Sequence, residues 1–242
     1  MTAPIPDCPA LSGATDNPVL LPLGRRAGPI RSALFHALGG GLGQYLGLAS
    51  YLARKGSVHG LRALGLYPGE QPDAAVPDMV GRYTDLLRRL PERPNLLVGW
   101  SLGGLLAWEA AQGLTVDGRA PDVVLIDSSP RSWRVDDPAL LAVRERVMRQ
   151  TLAQLGDESV EPVRTMLDAH IAARADYRVA SRHHGRALLV TCSRSDEPDQ
   201  ADMWAALTDD LTVRTLDSDH FEVFSRSNLP LLTGFIDDFL AA

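Results

Sequence analysis

Residues 95–104 read NLLVGWSLGG, in which a short apolar run passes directly into a helical pattern. Between them, residues 99–103 form a G-x-S-x-G sequence, which in that position is typical of a sharp turn that exposes a serine above a sheet edge. The following helix N-terminus favours negative charge that develops beside the serine. The pattern therefore predicts that Ser101 is a nucleophile and that the N–H of Leu102 is one oxyanion donor. A glycine-rich turn with an incidental serine is the alternative.

Outward from this turn, apolar runs alternate with helical patterns along the chain. The alternation predicts a mostly parallel sheet covered by helices on both faces. The predicted strands are 19–23, 33–38, 58–64, 95–100, 123–127, 187–192 and 211–216. The predicted helices are 43–54, 76–89, 102–112, 200–207 and 231–240.

Residues 131–186 interrupt the alternation, because no strand pattern occurs there. Two amphipathic helical patterns, about 138–155 and 159–175, are separated by Gly156. They predict two helices that each bury one apolar stripe. The pattern alone fits ordinary surface helices as well as a lid inserted over the mouth of a site.

A nucleophilic serine needs a base and an acid, and in this architecture the chain order is serine, acid, histidine. Only His220 follows the last predicted strand and precedes the last predicted helix, which makes it the candidate base. Three histidines, His170, His183 and His184, fall in the helical insertion, where we expect them on the solvated surface.

Two aspartates are candidates for the acid. Asp127 ends one predicted strand and Asp196 follows another, so both lie beyond carboxyl ends of strands, where open α/β sheets place their sites. Asp219 adjoins His220, and its side chain should therefore point elsewhere. The residues alone favour Asp127 over Asp196 only slightly.

A second oxyanion donor is expected from residues 34–45, LFHALGGGLGQY, where a predicted strand runs into three successive glycines. Glycines allow the backbone to turn and bring an N–H toward the serine. The donor is Ala37 or Leu38, and a simple glycine-rich connection is the alternative. A phosphate-binding loop is disfavoured, because the required Lys-Ser/Thr ending is missing.

The bulk properties exclude several classes of protein. Of 242 residues, 45% are hydrophobic, and 24 basic against 30 acidic side chains give a net charge of −6, which offers no electrostatic footprint for nucleic acid. The sequence shows no signal peptide and no membrane-spanning run. The two cysteines, Cys8 and Cys192, form no metal-ligand or disulfide pattern, which favours a cytoplasmic location. We expect residues 1–17 to be a disordered segment or linker remnant, followed by one domain over 18–242.

Together these residues resemble the thioesterase domains that end nonribosomal peptide and polyketide synthetases. The resemblance runs from about Leu34 to the C-terminus and rests on FHALGGG, VHGLRALGLYPGEQP, GWSLGGLLAWEAA, LIDSSP, ARADYR and DSDHFEVF. It implies an α/β-hydrolase fold, makes Asp127 the clear choice over Asp196, and identifies the insertion at about 131–186 as a lid. One departure is Ala37, since many relatives have a proline after the histidine of this loop.

The resemblance also implies a partner and a reaction. An acyl or peptidyl chain would arrive on the phosphopantetheine arm of a carrier protein, form an ester with Ser101, and leave by hydrolysis or macrocyclisation, with no metal or dissociable cofactor. Editing of misprimed carriers by a type II thioesterase, a small-molecule carboxylesterase, and a binding protein without activity are the alternatives. As a further hypothesis, arginines of the lid contact an acidic carrier protein: Arg131, Arg134, Arg144, Arg146 and Arg149.

Overall fold

The computed structural model describes residues 18–156, 159–195 and 199–242. The predicted N-terminal segment 1–17 and the alternative acid Asp196 lie outside these ranges.

The described residues form a seven-stranded sheet with strand order β1-β3-β2-β4-β5-β6-β7. Strand β1 pairs antiparallel with β3, and the other neighbouring strands pair in parallel. The mostly parallel sheet predicted from the sequence is confirmed. The strands are β1 Leu20–Arg25, β2 Ser32–Phe35, β3 Ser57–Leu61, β4 Leu96–Trp100, β5 Asp122–Ile126, β6 Ala187–Cys192 and β7 Leu211–Leu216.

Helices connect the strands and cover the sheet. A short 3₁₀ turn, Gly43–Tyr45, precedes the first of them. None of the described helices is long and apolar enough to cross a membrane. The helices are α1 Leu46–Leu52, α2 Val76–Arg88, α3 Leu102–Leu114, α4 Pro138–Leu155, α5 Val160–Ala175, α6 Gln200–Ala205 and α7 Leu229–Ala241.

The two faces of the sheet bury alternate residues of the same strands, as a period of two requires. In β4, Leu97 packs in the core formed with α2 and α3, whereas Leu96 and Val98 pack in the core formed with α1 and α7. Helix α3 is buried on nearly all sides, and Trp108 at its centre is fully enclosed. Truncating such a buried aromatic side chain to alanine costs about 3–5 kcal/mol. This packing holds β4 and α3 rigidly on either side of Ser101.

Several predicted boundaries differ from the observed ones, most clearly in β2. The strand was predicted to reach Leu38 but ends at Phe35. The N–H of His36 makes the last hydrogen bond to β3, at the carbonyl of Leu61, and the chain then turns through Gly40, whose φ is +73°. The predicted helix 43–54 divides into the 3₁₀ turn and α1. We call residues 36–43, which follow β2, the glycine loop.

Helices α4 and α5 lie between β5 and β6, in the segment predicted as the lid. Helix α4 begins at Pro138 with the carboxylate of Asp137 accepting a hydrogen bond from the N–H of Ala139 at 2.9 Å, and it ends before Gly156. The two helices enclose a third apolar cluster with residues that follow β2 and β3, including Leu38, Ala63 and Leu66. The lid therefore covers loops at the carboxyl end of the sheet rather than either face.

Candidate active site

Ser101 occupies a strained turn between β4 and α3. Its φ of 56° and ψ of −124° are disfavoured for a residue with a side chain, and its N–H donates to the carbonyl of Ile126 at 3.0 Å. A Cβ on Gly99 would lie 1.9 Å from the carbonyl oxygen of Gly103, and one on Gly103 would lie 2.4 Å from that of Phe35. The two glycines of the motif are thus required by close backbone approach, which also brings the end of β2 against the start of α3.

Asp127 and His220 are joined directly. The Nδ1 atom of His220 lies 2.6 Å from Oδ2 of Asp127, which follows β5 and is 3% exposed. Because the carboxylate accepts this bond, Nδ1 carries the proton and Nε2 is left as the basic nitrogen. The structure therefore brings together two of the predicted site residues in the geometry of an acid–base pair.

The other oxygen of Asp127 has its own partners. Oδ1 accepts hydrogen bonds from Nε2 of Gln200 at 2.9 Å and from the N–H of Cys192 at 3.3 Å. Burial raises the pKa of Asp127, but the hydrogen bond and charge of His220, with hydrogen bonds from Gln200 and Ser195, outweigh it and hold the pKa below its usual value. The carboxyl group is therefore ionised at neutral pH. Gln200 was not singled out from the sequence.

His220 lies between β7 and α7 and is held by aromatic rings. The ring of Trp100, the residue before Ser101, lies 4.8 Å from the imidazole, and that of Phe221 lies 5.2 Å away. Oδ1 of Asp219 accepts the N–H groups of Phe221 and Glu222, so this carboxylate caps its own turn and does not compete with Asp127. Within the described residues the hydroxyl of Ser101 makes no hydrogen bond, and serine–histidine bonds in free enzymes are commonly loose.

The predicted oxyanion donors all lie beside the turn at Ser101. Leu102 is the first residue of α3, so its N–H has no partner within the helix. Ala37 and Leu38 are each 3% exposed, in the part of the glycine loop that follows the contact between Phe35 and Gly103. Among the described residues, no acceptor pairs with the N–H of Ala37 or Leu38, so these groups could bind an oxyanion.

Two lid histidines that we expected on the surface are buried. His170 and His183 are each 1% exposed, and only His184 of the three faces solvent. His36 is also fully buried, and its pKa is lowered to about 3 by burial and by the nearby His170 and Arg62, against the hydrogen bond to the carbonyl of Ala37. The expectation was wrong because tertiary packing buries His170 between the lid and the glycine loop and buries His183 against Trp108 of α3. No local sequence pattern signals this burial.

A cavity of about 680 Å³ opens between the lid and the candidate catalytic loops. The glycine loop, Trp100 and Phe221 form part of its wall, so it adjoins both Ser101 and His220 along the chain. Helix α4 contributes a mixture of apolar and uncharged polar side chains, namely Val147, Gln150, Thr151 and Gln154.

Several arginines that we considered for carrier contacts have partners inside the chain. Arg144 on α4 lies 2.6 Å from the carboxylate of Asp168 on α5 and so joins the two lid helices. The guanidinium of Arg146 lies 3.9 Å from the ring centre of Phe221, next to His220. Arg144 therefore joins the two lid helices, and Arg146 joins α4 to the loop that carries His220.

The chain is similar to several known proteins. The model of the family described as Thioesterase domain matches residues 33–240. A probable cadicidin biosynthesis thioesterase of Streptomyces griseus is 32% identical over 167 residues, 63% of this chain and 44% of that protein. The polyketide synthase PksR of Bacillus subtilis is 34% identical over 126 residues, 50% of this chain and 5% of that protein. The chain spans less than half the length of the curated relatives it matches.

Solved structures show the same fold. The NocB thioesterase domain, solved as a covalent complex with a fluorophosphonate nocardicin G analogue, is 28% identical with a TM-score of 0.72, covering 92% of this chain and 100% of that one. The type II thioesterase YbtT of the yersiniabactin pathway has a TM-score of 0.70 at 18% identity, covering 91% of this chain and 97% of that one. These likenesses confirm the predicted α/β-hydrolase fold.

Proposed function

The chain belongs to the thioesterase domain family of serine hydrolases, and from that premise we propose that it releases an acyl or peptidyl chain from a carrier protein through Ser101. The carrier would belong to nonribosomal peptide or polyketide biosynthesis and would present the chain on its phosphopantetheine arm. The observation that carries the proposal is the pairing of the buried Asp127 with His220 at 2.6 Å, beside the strained turn at Ser101.

In the first half-reaction, Nε2 of His220 accepts the hydroxyl proton of Ser101 as the serine oxygen attacks the thioester carbonyl. The N–H of Leu102 and that of Ala37 or Leu38 bind the oxyanion of the tetrahedral intermediate. When the intermediate collapses, the C–S bond breaks, the imidazolium returns its proton to the leaving thiolate, and an acyl ester remains on the serine. The ionised Asp127 stabilises the imidazolium throughout.

In the second half-reaction, a nucleophile attacks the ester on Ser101 and loses its proton to His220. Water gives a free acid, whereas an amine or hydroxyl of the bound chain gives a ring, and either route returns the proton to the serine oxygen. The proposal needs no metal or dissociable cofactor, since the imidazole moves every proton. The cavity under the lid would hold the chain and control access of water to the ester. We place this reaction in the cytoplasm, which suits the free thiol of Cys192.

Editing of misprimed carriers is the second candidate function, because the described type II thioesterase YbtT has the same fold. It would use the same nucleophile and differ in the chain taken, namely a short acyl group in place of a long one. A carboxylesterase for small molecules would use the same site without any contribution from a carrier protein.

Intact-mass spectrometry of the protein and its products separates these functions. Wild type and Ser101→Ala would be incubated with a phosphopantetheinylated carrier that holds either an acetyl group or a peptidyl chain. The matched control is each acyl group on free pantetheine. We expect wild type to gain an acyl mass or release product, Ser101→Ala to do neither, and the carrier to raise kcat/KM at least about tenfold, a change of about 1.4 kcal/mol.

The outcomes assign the function. Preference for the peptidyl chain supports release, preference for acetyl supports editing, and the product mass distinguishes acid from ring. If neither carrier substrate reacts while a small ester is hydrolysed, the carrier-dependent function is wrong and the carboxylesterase replaces it.

A further inference from the structure

The lid and the glycine loop are joined by a buried hydrogen bond that involves His170. This residue lies on α5, is 1% exposed, and places its Nδ1 atom 3.0 Å from the carbonyl oxygen of Leu38. A carbonyl oxygen can only accept, so Nδ1 of His170 carries the proton and donates it. A side chain of the lid thus binds the backbone of the loop that holds two candidate oxyanion donors.

The preceding carbonyl of the same loop is bound by a second histidine. Nδ1 of His36 lies 2.8 Å from the carbonyl oxygen of Ala37, which also accepts the N–H of Gly40 at 2.9 Å. Nε2 of His36 therefore accepts from the hydroxyl of Tyr83, 2.6 Å away. The rings of His36 and His170 stack at 5.2 Å with an interplanar angle of 20°. Two stacked imidazoles hold two successive carbonyls.

Binding these carbonyls fixes the N–H groups of the loop. The peptide unit is planar and trans, so the direction of a C=O determines the direction of the N–H that follows it. The bond of His36 to the carbonyl of Ala37 orients the N–H of Leu38, a candidate donor. The bond of His170 to the carbonyl of Leu38 orients the N–H of Gly39 and so fixes the peptide on the other side of Leu38, while the ring of His170 supports that of His36 by stacking on it. Donors that stabilise an oxyanion must be held in place before the charge develops.

The lid also packs against the glycines themselves. A Cβ on Gly39 would lie 2.8 Å from Oγ1 of Thr151 on α4, and one on Gly40 would lie 2.5 Å from the sulfur of Met166 on α5. The absence of side chains at Gly39 and Gly40 is what lets both lid helices approach the backbone of the loop. The position of α5 therefore determines whether His170 can reach Leu38.

We propose that His170 is a positioning residue, through which the closed lid holds the oxyanion loop in its competent shape. Closure of the lid over a bound chain and completion of the oxyanion hole are then one event, so the chemistry is coupled to enclosure of the substrate. This inference rests on the proposed function, because it assigns His170 a part in the oxyanion step of that reaction.

The test compares His170→Ala with His170→Asn, because the Nδ2 group of asparagine takes the place of Nδ1 as a donor. The matched control is His183→Asn, which replaces an equally buried histidine whose ring lies 5.0 Å from that of Trp108 at an interplanar angle of 51°. The measurements are Tm, kcat and KM on an acyl-pantetheine thioester, and the rate at which a fluorophosphonate labels Ser101. Removal of a whole oxyanion donor costs about 10²–10³ in kcat.

For a loosened donor we expect His170→Ala to lower kcat by about 10- to 100-fold with KM within about twofold. His170→Asn should recover most of that loss, and His183→Asn should lower Tm without lowering kcat. A kcat for His170→Ala within about threefold of wild type overturns the proposal, as does a folded His170→Asn no faster than His170→Ala. If wild type processes no thioester, the proposed function fails separately, and the fluorophosphonate rates still decide the role of His170, since the phosphonyl oxygen enters the same hole.

Discussion

Among single residues, Asp127 has the most demanding position, because its two oxygens bind different parts of the chain. Oδ2 binds His220 from the loop after β7, and Oδ1 binds Gln200 from the start of α6. Its backbone φ of 40° is in the left-handed region, where a non-glycine residue is strained. Such strain persists only where surrounding contacts determine the conformation, and these hydrogen bonds supply the contacts.

We expect Asp127→Asn to lower kcat by about 10³- to 10⁴-fold, because an amide can donate to Nδ1 and so favours the wrong imidazole tautomer. KM should change little, since the carboxylate does not reach the acyl chain. The measurement is steady-state kinetics on an acyl-pantetheine thioester. Two control variants are Asp219→Asn, which alters a turn cap, and Asp196→Asn, which alters the alternative acid. Full loss of activity in Asp196→Asn with activity retained in Asp127→Asn would reverse the assignment.

The sequence could indicate Asp127 and His220, but it could not indicate the groups that hold them. Chain order restricts the base to His220 and the acid to Asp127 or Asp196, and the resemblance to thioesterase domains favours Asp127. Gln200 is 73 positions from Asp127 and has no motif of its own. Its contact depends on where α6 starts relative to the end of β5, which is a property of tertiary packing.

At the scale of elements, the glycine loop serves packing more than turning. Of its three successive glycines, only Gly40 has a positive φ. Gly39 instead makes room for Thr151, and nothing lies within 4 Å of a Cβ on Gly41. From the sequence, the glycines were expected to let the backbone turn; their role in packing gives no local signal, because the lid that packs on them is more than a hundred residues away in the chain.

This difference predicts unequal effects of alanine at neighbouring positions. Gly40→Ala should lower the free energy of unfolding by about 1–3 kcal/mol, since it forces a side chain into a positive φ and against Met166. Gly41→Ala should change it by less than about 0.5 kcal/mol, which is usual for a substitution that meets no neighbour. Urea denaturation of both variants measures the difference. Equal losses would show that Gly40 is not the constrained position.

The strands were predicted most accurately where apolar runs end at polar residues. Strands β6 and β7 have the predicted bounds, Ala187–Cys192 and Leu211–Leu216. The end of strand β2 was predicted three residues too late, because Ala37 and Leu38 continue the apolar pattern of the strand. These two residues are buried under the lid instead of within the sheet, and an apolar pattern does not distinguish the two kinds of burial.

In the whole molecule, the lid encloses two neighbouring clusters, one apolar and one polar. His36, Tyr83 and His170 come from the loop after β2, from α2 and from α5, and their rings lie within 5.2–5.6 Å of a neighbour in the cluster. Residues so distant in sequence give no local signal, so the burial of two histidines could not be predicted. Their burial in neutral form makes the stability of the whole fold depend on pH.

The sign of that dependence follows from His36, whose pKa falls from 6.5 in the exposed state to about 3 when buried. Between these values the unfolded chain binds more protons than the folded chain, so the free energy of unfolding rises with pH. Acidification from pH 6.5 toward pH 3 should therefore cost about 1.4 kcal/mol per pH unit for this residue. Burial lowers the pKa of His170 as well, against the bond to Leu38 and the charge of Asp73, so it acts in the same direction.

Urea denaturation between pH 4.5 and pH 6 tests this linkage with His36→Asn, which keeps a donor for the carbonyl of Ala37 but has no titrating ring. Its free energy of unfolding should be lower than that of wild type at pH 6, yet depend less steeply on pH by about 1.4 kcal/mol per unit. His184→Asn, which replaces a histidine exposed to solvent, should keep the slope of wild type. Parallel pH dependences of His36→Asn and wild type would show that His36 is not buried in neutral form. The glycine loop and the lid would then be open in solution, since the ring of His170 on the lid stacks on this imidazole and shields it from water.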